Sequence, residues 1–194
     1  MGRFKLFTLA IHQAYLIING SGDCVNPLNA LGTPNGVWAG EINANTSFTH
    51  EWQFNTLDNL GNPTAYDQVI QIYCRAGSNS GVPEVTRVRV RQGTTYHLDD
   101  TTVKTVTSTT GQTLTYTIPA GTILNGTNAW LLEVTVAGVS GSPSKRNSIQ
   151  IDYAVFNYEY APTETVSITP NTAEAAEFTD GFPIVEFTGD SLNG

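Results

Sequence analysis

The sequence predicts an all-β protein, an antiparallel β-sandwich of jelly-roll-like form, on three observations. Charged residues make up only 13% of the chain, while Thr, Ser, Asn and Gly abound, a mixture that suits pleated strands and tight turns and leaves few helix-forming runs. Apolar and polar residues alternate over short segments, the period of two that marks a half-buried strand. Gly- and Pro-rich breaks recur about every ten residues, the spacing of sandwiches and jelly rolls. At 194 residues, one domain can bury a substantial core without a disulfide or a metal.

Taken in order, residues 1–18 place apolar side chains on both faces of either pattern and fit two short strands or a buried helix, with strands preferred. A break at Asn19-Gly20-Ser21-Gly22 opens an irregular loop that includes the turn Thr33-Pro34-Asn35-Gly36. Residues 47–54 form a strand with Phe48, His50, Trp52 and Phe54 on one face. Residues 69–75 place Ile70, Ile72 and Cys74 together, and after the break at 76–83, Thr86, Val88 and Val90 face inward with Arg87, Arg89 and Arg91 outward. Gln92-Gly93 turns the chain, residues 101–107 make a short threonine-rich strand, and Leu114, Tyr116 and Ile118 form the inner face of the next. Trp130, Leu132, Val134 and Val136 line another, followed after the break at 137–143 by Ile149, Ile151, Tyr153 and Val155. Phe156, Tyr158 and Tyr160 then fall on the opposite parity, which calls for a bulge near Val155-Phe156 or burial of both faces. The two strand–break–strand units, 69–90 and 131–158, read as hairpins.

The net charge of −8 is unevenly placed. Residues 161–194 contain Glu164, Glu174, Glu177, Asp180, Glu186 and Asp190 and no Lys or Arg, dispersed among prolines and isolated apolar residues. They read as an acidic C-terminal arm that forms no core of its own. The organisation expected is an N-terminal segment at 1–23, a β-sandwich at 24–160 and the arm at 161–194. An acidic chain without a broad basic face is expected to bind no nucleic acid. No run reaches the roughly 18 apolar residues of a membrane-spanning helix, so no membrane association is expected. Arg3 and Lys5 precede an apolar run, but His12 and Gln13 interrupt it and no small-x-small site follows, a poor match to a cleaved leader. Cys24 and Cys74 are too few for a disulfide framework.

Catalytic material is sparse. His12, His50 and His97 lie in unrelated segments without metal-ligand spacing, and His50 reads as a core or rim histidine satisfied by one hydrogen bond. Asp99-Asp100 lacks the pattern of a calcium loop and reads as a solvated turn. Glu41, Glu51, Glu133 and Asp152 could meet in a cleft, yet nothing selects a pair. No enzyme activity, cofactor or metal is expected. Aromatic residues are the more plausible functional material: Trp38, Trp52, Tyr66, Tyr73 and Tyr96 could offer flat surfaces to sugar rings, and Trp38, in a Gly-flanked loop, is the candidate glycan platform. Arg87, Arg89 and Arg91 form either a solvated face or a receptor for the acidic arm of a neighbouring copy. Phe178, Phe182, Ile184 and Phe187 are the arm's candidate partner-binding side chains.

Four turn and strand-edge stretches, ALGTPNGVW at 30–38, RAGSNSGVP at 75–83, TSTTGQTL at 107–114 and GSPSKRNS at 141–148, resemble a β-sandwich module of tailed-bacteriophage virion structural proteins, either capsid cement (decoration) or tail-associated. The resemblance spans residues 24–160 and omits both ends. It implies a non-enzymatic virion component, assembled in host cytoplasm as a homo-oligomer, that bridges neighbouring subunits such as the major capsid protein or tail subunits. The alternatives it leaves open are a tail or fibre component, or a carbohydrate-binding module for host-surface glycans.

Overall fold

The structure, a computed structural model, describes residues 10–41, 48–55, 57, 64, 66–77, 82–124, 128–137 and 148–160. The chain divides into Met1–Pro162 and Thr163–Gly194. The second unit, with Phe178, Phe182, Ile184 and Phe187, lies outside the described residues.

Ten strands carry the first unit: β1 (Ala10–Gly22), β2 (Ala39–Glu41), β3 (Phe48–Phe54), β4 (Gln68–Ala76), β5 (Glu84–Gln92), β6 (Thr95–Asp100), β7 (Lys104–Thr105), β8 (Gln112–Ile118), β9 (Trp130–Ala137) and β10 (Ser148–Tyr160). All pairings are antiparallel, in the order β6-β5-β9-β3-β1-β10-β4-β8, with β2 on β10 and β7 on β5. β1 folds this ladder into a sandwich. Its first half pairs with β10, from Ala10 opposite Tyr160 to Tyr15 opposite Val155, and its second half pairs with β3 from Leu16 opposite Phe54 onward. Register breaks at Leu16/Ile18 and Asn19/Gly22 accompany the crossing, as bulges do where strands bend from one sheet to another. The first leaf is β8-β4-β10 with β2 and the start of β1; the second is β6-β5-β9-β3 with β7 and the end of β1.

Residues 10–22 therefore belong to the sandwich, and the boundary expected at residue 24 is corrected. The expected hairpins are corrected as well. β4 pairs with β8 and β10 while β5 pairs with β6, β7 and β9, and β9 and β10 likewise sit in different leaves. The connecting stretches, 77–83 and 138–147, exceed the about two to five residues of a hairpin loop. Each unit crosses between the leaves, and its two apolar faces meet through the core. The hairpin that does form is β5–β6, closed at Gly93. Inward from β5 are Val85, Val88 and Val90, because a register shift between Val85 and Arg87 turns Thr86 out of the expected face.

The core follows from alternation. β4 reads buried–intermediate along its whole length, β3 and β9 likewise, and their buried positions are apolar apart from His50 and Gln68. Phe54 of the second leaf meets Phe156 of the first at 5.7 Å between ring centroids, and Trp130 meets Phe156 at 5.5 Å. Trp52 is fully buried and its Nε1 donates to the Pro27 carbonyl at 3.0 Å, so it serves packing. Cys24 and Cys74 are buried free thiols whose pKa values burial pushes up to about 12, which leaves them as unreactive core side chains.

Burial disfavours the protonated form of two histidines, His50 in the core and the half-buried His97. His50 lies 4.5 Å from Trp52; its Nδ1 accepts from the Cys24 N–H at 3.4 Å, so its Nε2 donates to Asn19 Oδ1 at 2.6 Å. Burial lowers its pKa, and burial lowers that of His97, which packs at 4.6 Å on Trp130. In both cases the unfolded chain binds protons more readily than the folded one. Stability is thus complete above the unfolded histidine value of about 6.5 and falls as pH drops below it. Denaturant unfolding at pH 7.5 and pH 5.5 should show lower stability at the acid value, and His50→Gln should flatten the difference. Identical stability at the two pH values would contradict the assignment.

Candidate functional site: an aromatic row on the first leaf

The outward face of the first leaf gathers aromatic side chains from four segments. Tyr73 of β4 stands directly opposite Tyr153 of β10, and their rings stack at 5.4 Å and 26°. Tyr15 of β1, placed diagonally from Tyr153 across the strand pair, extends the row at 6.4 Å. Trp38, just before β2, adds the other end at 5.7 Å from Tyr73. All four are half-buried.

The row exists because of one extra residue. Up to Ile151, which pairs with Cys74, the odd-numbered residues of β10 point into the core; the register then shifts so that Tyr153, and not Asp152, pairs with Tyr73. Beyond the bulge Ala154, Phe156 and Tyr158 join the core cluster, and Val155 on the other face is buried as well. The parity change expected near Val155-Phe156 therefore sits at Asp152, and Tyr153, expected inward, is delivered to the outer face.

Asp152 is 3% exposed, and its Oδ1 accepts the backbone N–H groups of Gly36 at 3.0 Å and Asn35 at 3.4 Å. Asn35 Oδ1 accepts from the Val37 N–H at 2.7 Å, and Asn29 Nδ2 donates to the Trp38 carbonyl at 2.9 Å. The bulge residue thus anchors the loop that carries Trp38. β2 lies on the side of β10 away from β4, so the indole must span β10 at the bulge to reach Tyr73. Tyr73 is seated by Gly111, whose φ is +141° and where a Cβ would lie 2.1 Å from the Tyr73 hydroxyl oxygen.

Polar groups flank the row. Tyr15 donates its hydroxyl to Gln13 Oε1 at 3.1 Å, Gln13 Nε2 donates to Asn157 Oδ1 at 2.9 Å, and Asn157 Nδ2 donates to Gln71 Oε1 at 3.1 Å, a ladder of amides across β1, β10 and β4. At the Trp38 end, the Arg75 guanidinium lies 4.2 Å over the indole ring and its Nε donates to Gln150 Oε1 at 2.6 Å.

The second leaf's outer face is different in kind. Arg87 pairs with Asp99 at 2.7 Å, Arg89 with Glu133, and Arg91 with Glu51 at 2.5 Å. Glu51 and Glu133 stand opposite each other on β3 and β9, and the two arginines neutralise what would be like-charge repulsion. Asp152 belongs to the other leaf, apart from the Glu51–Glu133 pair. Asp100 Oδ1 accepts the Thr102 N–H at 2.7 Å, as a turn residue does. No group of three or more His, Cys, Asp or Glu among the described residues could hold a metal ion.

Of the aromatic residues singled out in the sequence, the structure brings Trp38 and Tyr73 together. Trp52 is in the core, Tyr66 is exposed, and Tyr96 is exposed on β6 of the second leaf, with Arg89 over its ring at 5.2 Å. Tyr15 and Tyr153 were not among them. The signal that could have found Tyr153 is Asp152, an acid within the apolar alternation IQIDYAVF.

No protein-family profile matches the chain, nor does its sequence match a curated protein. Solved structures with some likeness include a family 61 carbohydrate-binding module in complex with β-1,4-galactotriose, at 11% identity and TM-score 0.40 over 71% of this chain and 82% of that one. A family 35 carbohydrate-binding module from Paenibacillus barcinonensis aligns at 13% identity and TM-score 0.39 over 78% and 99%. The enzymatically active domain of tailspike protein 4 of bacteriophage CBA120 aligns at 9% identity and TM-score 0.39 over 77% of this chain and 19% of that one. Likeness this slight bears on neither fold nor function, which rest on the strand pairing and side chains above.

Asp152→Ala should lower stability by about 1–3 kcal/mol, the range for orphaned buried donors, and should raise acrylamide quenching of tryptophan fluorescence by freeing Trp38. Asp152→Asn, which keeps an acceptor oxygen, should lose less. Unchanged quenching and stability in the alanine variant would show that Asp152 does not hold the loop.

Proposed function

We propose that this protein is a non-enzymatic carbohydrate-binding module that stacks sugar rings on Tyr15, Tyr153, Tyr73 and Trp38. The observation that carries the reading is the outward aromatic row, edged by the Gln13–Asn157–Gln71 ladder. The C–H faces of a pyranose complement a π surface, while its hydroxyls need donors and acceptors at the rim, and amides supply both. Three of the four rings stand on paired strands and Trp38 is held by Asp152 and Asn29, so little side-chain freedom remains to be lost on binding.

The capsid-cement expectation has no comparable support among the described residues. Phe178, Phe182, Ile184 and Phe187 lie outside them, and Arg87, Arg89 and Arg91 are matched by carboxylates of their own leaf. A place on a virion, with capsid or tail subunits as partners, remains compatible with a glycan-reading surface and rests on the turn resemblance alone.

A glycan array followed by affinity electrophoresis tests the reading. Trp38→Ala and Tyr73→Ala should each weaken binding about tenfold or more, the equivalent of one well-placed aromatic contact, with the thermal transition retained. Gly111→Ala should weaken it by crowding Tyr73 off its seat. A wild-type protein with no glycan signal, or a signal indifferent to both aromatic substitutions, would refute the proposal.

A further inference from the structure

Granting the platform reading on which it rests, we propose that the bound sugar is anionic, bearing a carboxylate or sulfate that Arg75 reads. Four arginines are described, and three of them, Arg87, Arg89 and Arg91, each face a carboxylate. Arg75 does not. Its Nε is engaged by the neutral Gln150 carbonyl oxygen, its Cζ lies over the Trp38 ring, and its two terminal nitrogens make no hydrogen bond or ion pair with a described residue. In a chain with 17 acidic and 9 basic residues, a half-buried arginine without a counter-charge, laid on the proposed ligand surface, is a charge awaiting a partner.

The geometry favours an oxyanion. With Nε tied to Gln150 and the ring of Trp38 fixing the plane, the remaining donors form the outer edge of the guanidinium, the edge that matches two oxygens of one carboxylate or sulfate. Asp152, the nearest acid to the row in sequence, is buried and turned to the loop amides of Asn35 and Gly36, so it offers Arg75 no ion pair. A neutral sugar would use the aromatic row and leave this charge unanswered.

Isothermal titration at physiological salt with two matched pairs tests this: polygalacturonate against its fully methyl-esterified form, and dextran sulfate against dextran. At least one acidic polymer should bind about tenfold tighter than its neutral twin, the scale of one charge-assisted hydrogen-bonded contact; which pair discriminates tells carboxylate from sulfate. Arg75→Gln should bring the acidic-to-neutral affinity ratio to about one, and Arg75→Lys should keep only part of the preference. Arg87→Gln, an equal charge change on the second leaf, should leave it intact. Equal binding within both pairs, still abolished by Trp38→Ala, would overturn the charge selectivity while the platform stands. A preference lost equally in Arg87→Gln would assign it to net charge and overturn the role of Arg75. Absence of any polymer binding sensitive to Trp38→Ala would overturn both readings.

Discussion

One buried carboxylate and the backbone irregularity that holds it decide what the first leaf presents to solvent. Asp152 occupies the extra position of a bulge in β10, and because strand side chains alternate with a period of two, a single inserted residue exchanges the two faces from that point on. On the core side the exchange lets Phe156 meet Phe54 and Trp130. On the outer side it sets Tyr153 beside Tyr73. A buried carboxylate is tolerated only where donors meet it, and the donors here are the N–H groups of the loop leading to Trp38. The same interaction therefore closes the bulge, fixes the loop and completes the row.

The two outer faces solve the problem of being solvent-exposed sheet in different ways. The second leaf is a lattice of opposite charges, Arg87 with Asp99, Arg89 with Glu133 and Arg91 with Glu51, which keeps that surface hydrated and internally neutral and leaves no surplus for an acidic partner. The first leaf carries rings and amides, with Arg75 facing no carboxylate among the described residues. Aromatic pairs of this kind are worth about 0.5–1.5 kcal/mol each beyond the area they bury, and the same offset stacking that stabilises them keeps ring surface open at the row.

Much of the fold was legible because alternation is a backbone property. β3, β4, β8 and β9 bury the side chains that period-two patterning assigns to them. Pairing was not legible, since Ile70, Ile72 and Val88, Val90 read alike whether their strands are hairpin neighbours or face each other across a core. β1 was obscured because a strand that serves one leaf and then the other shows apolar residues on both faces. Of the site, Trp38 was marked by its loop and Tyr73 by its type, while Tyr153 was hidden by the bulge that reverses its side. Arg75 gave no sign at all, because its distinction lies in what Arg87, Arg89 and Arg91 possess and it lacks.

The first leaf's outer face, built by the Asp152 bulge, is the proposed binding surface. Backbone amide chemical-shift mapping during titration with a glycan that the protein binds tests it most directly. The perturbed amides should cluster on residues 13–15, 71–75 and 150–157 and at Trp38, with the charge-paired strands β5 and β9 silent. Perturbations confined to the Arg87–Arg91 face, or to segments remote from both, would contradict it.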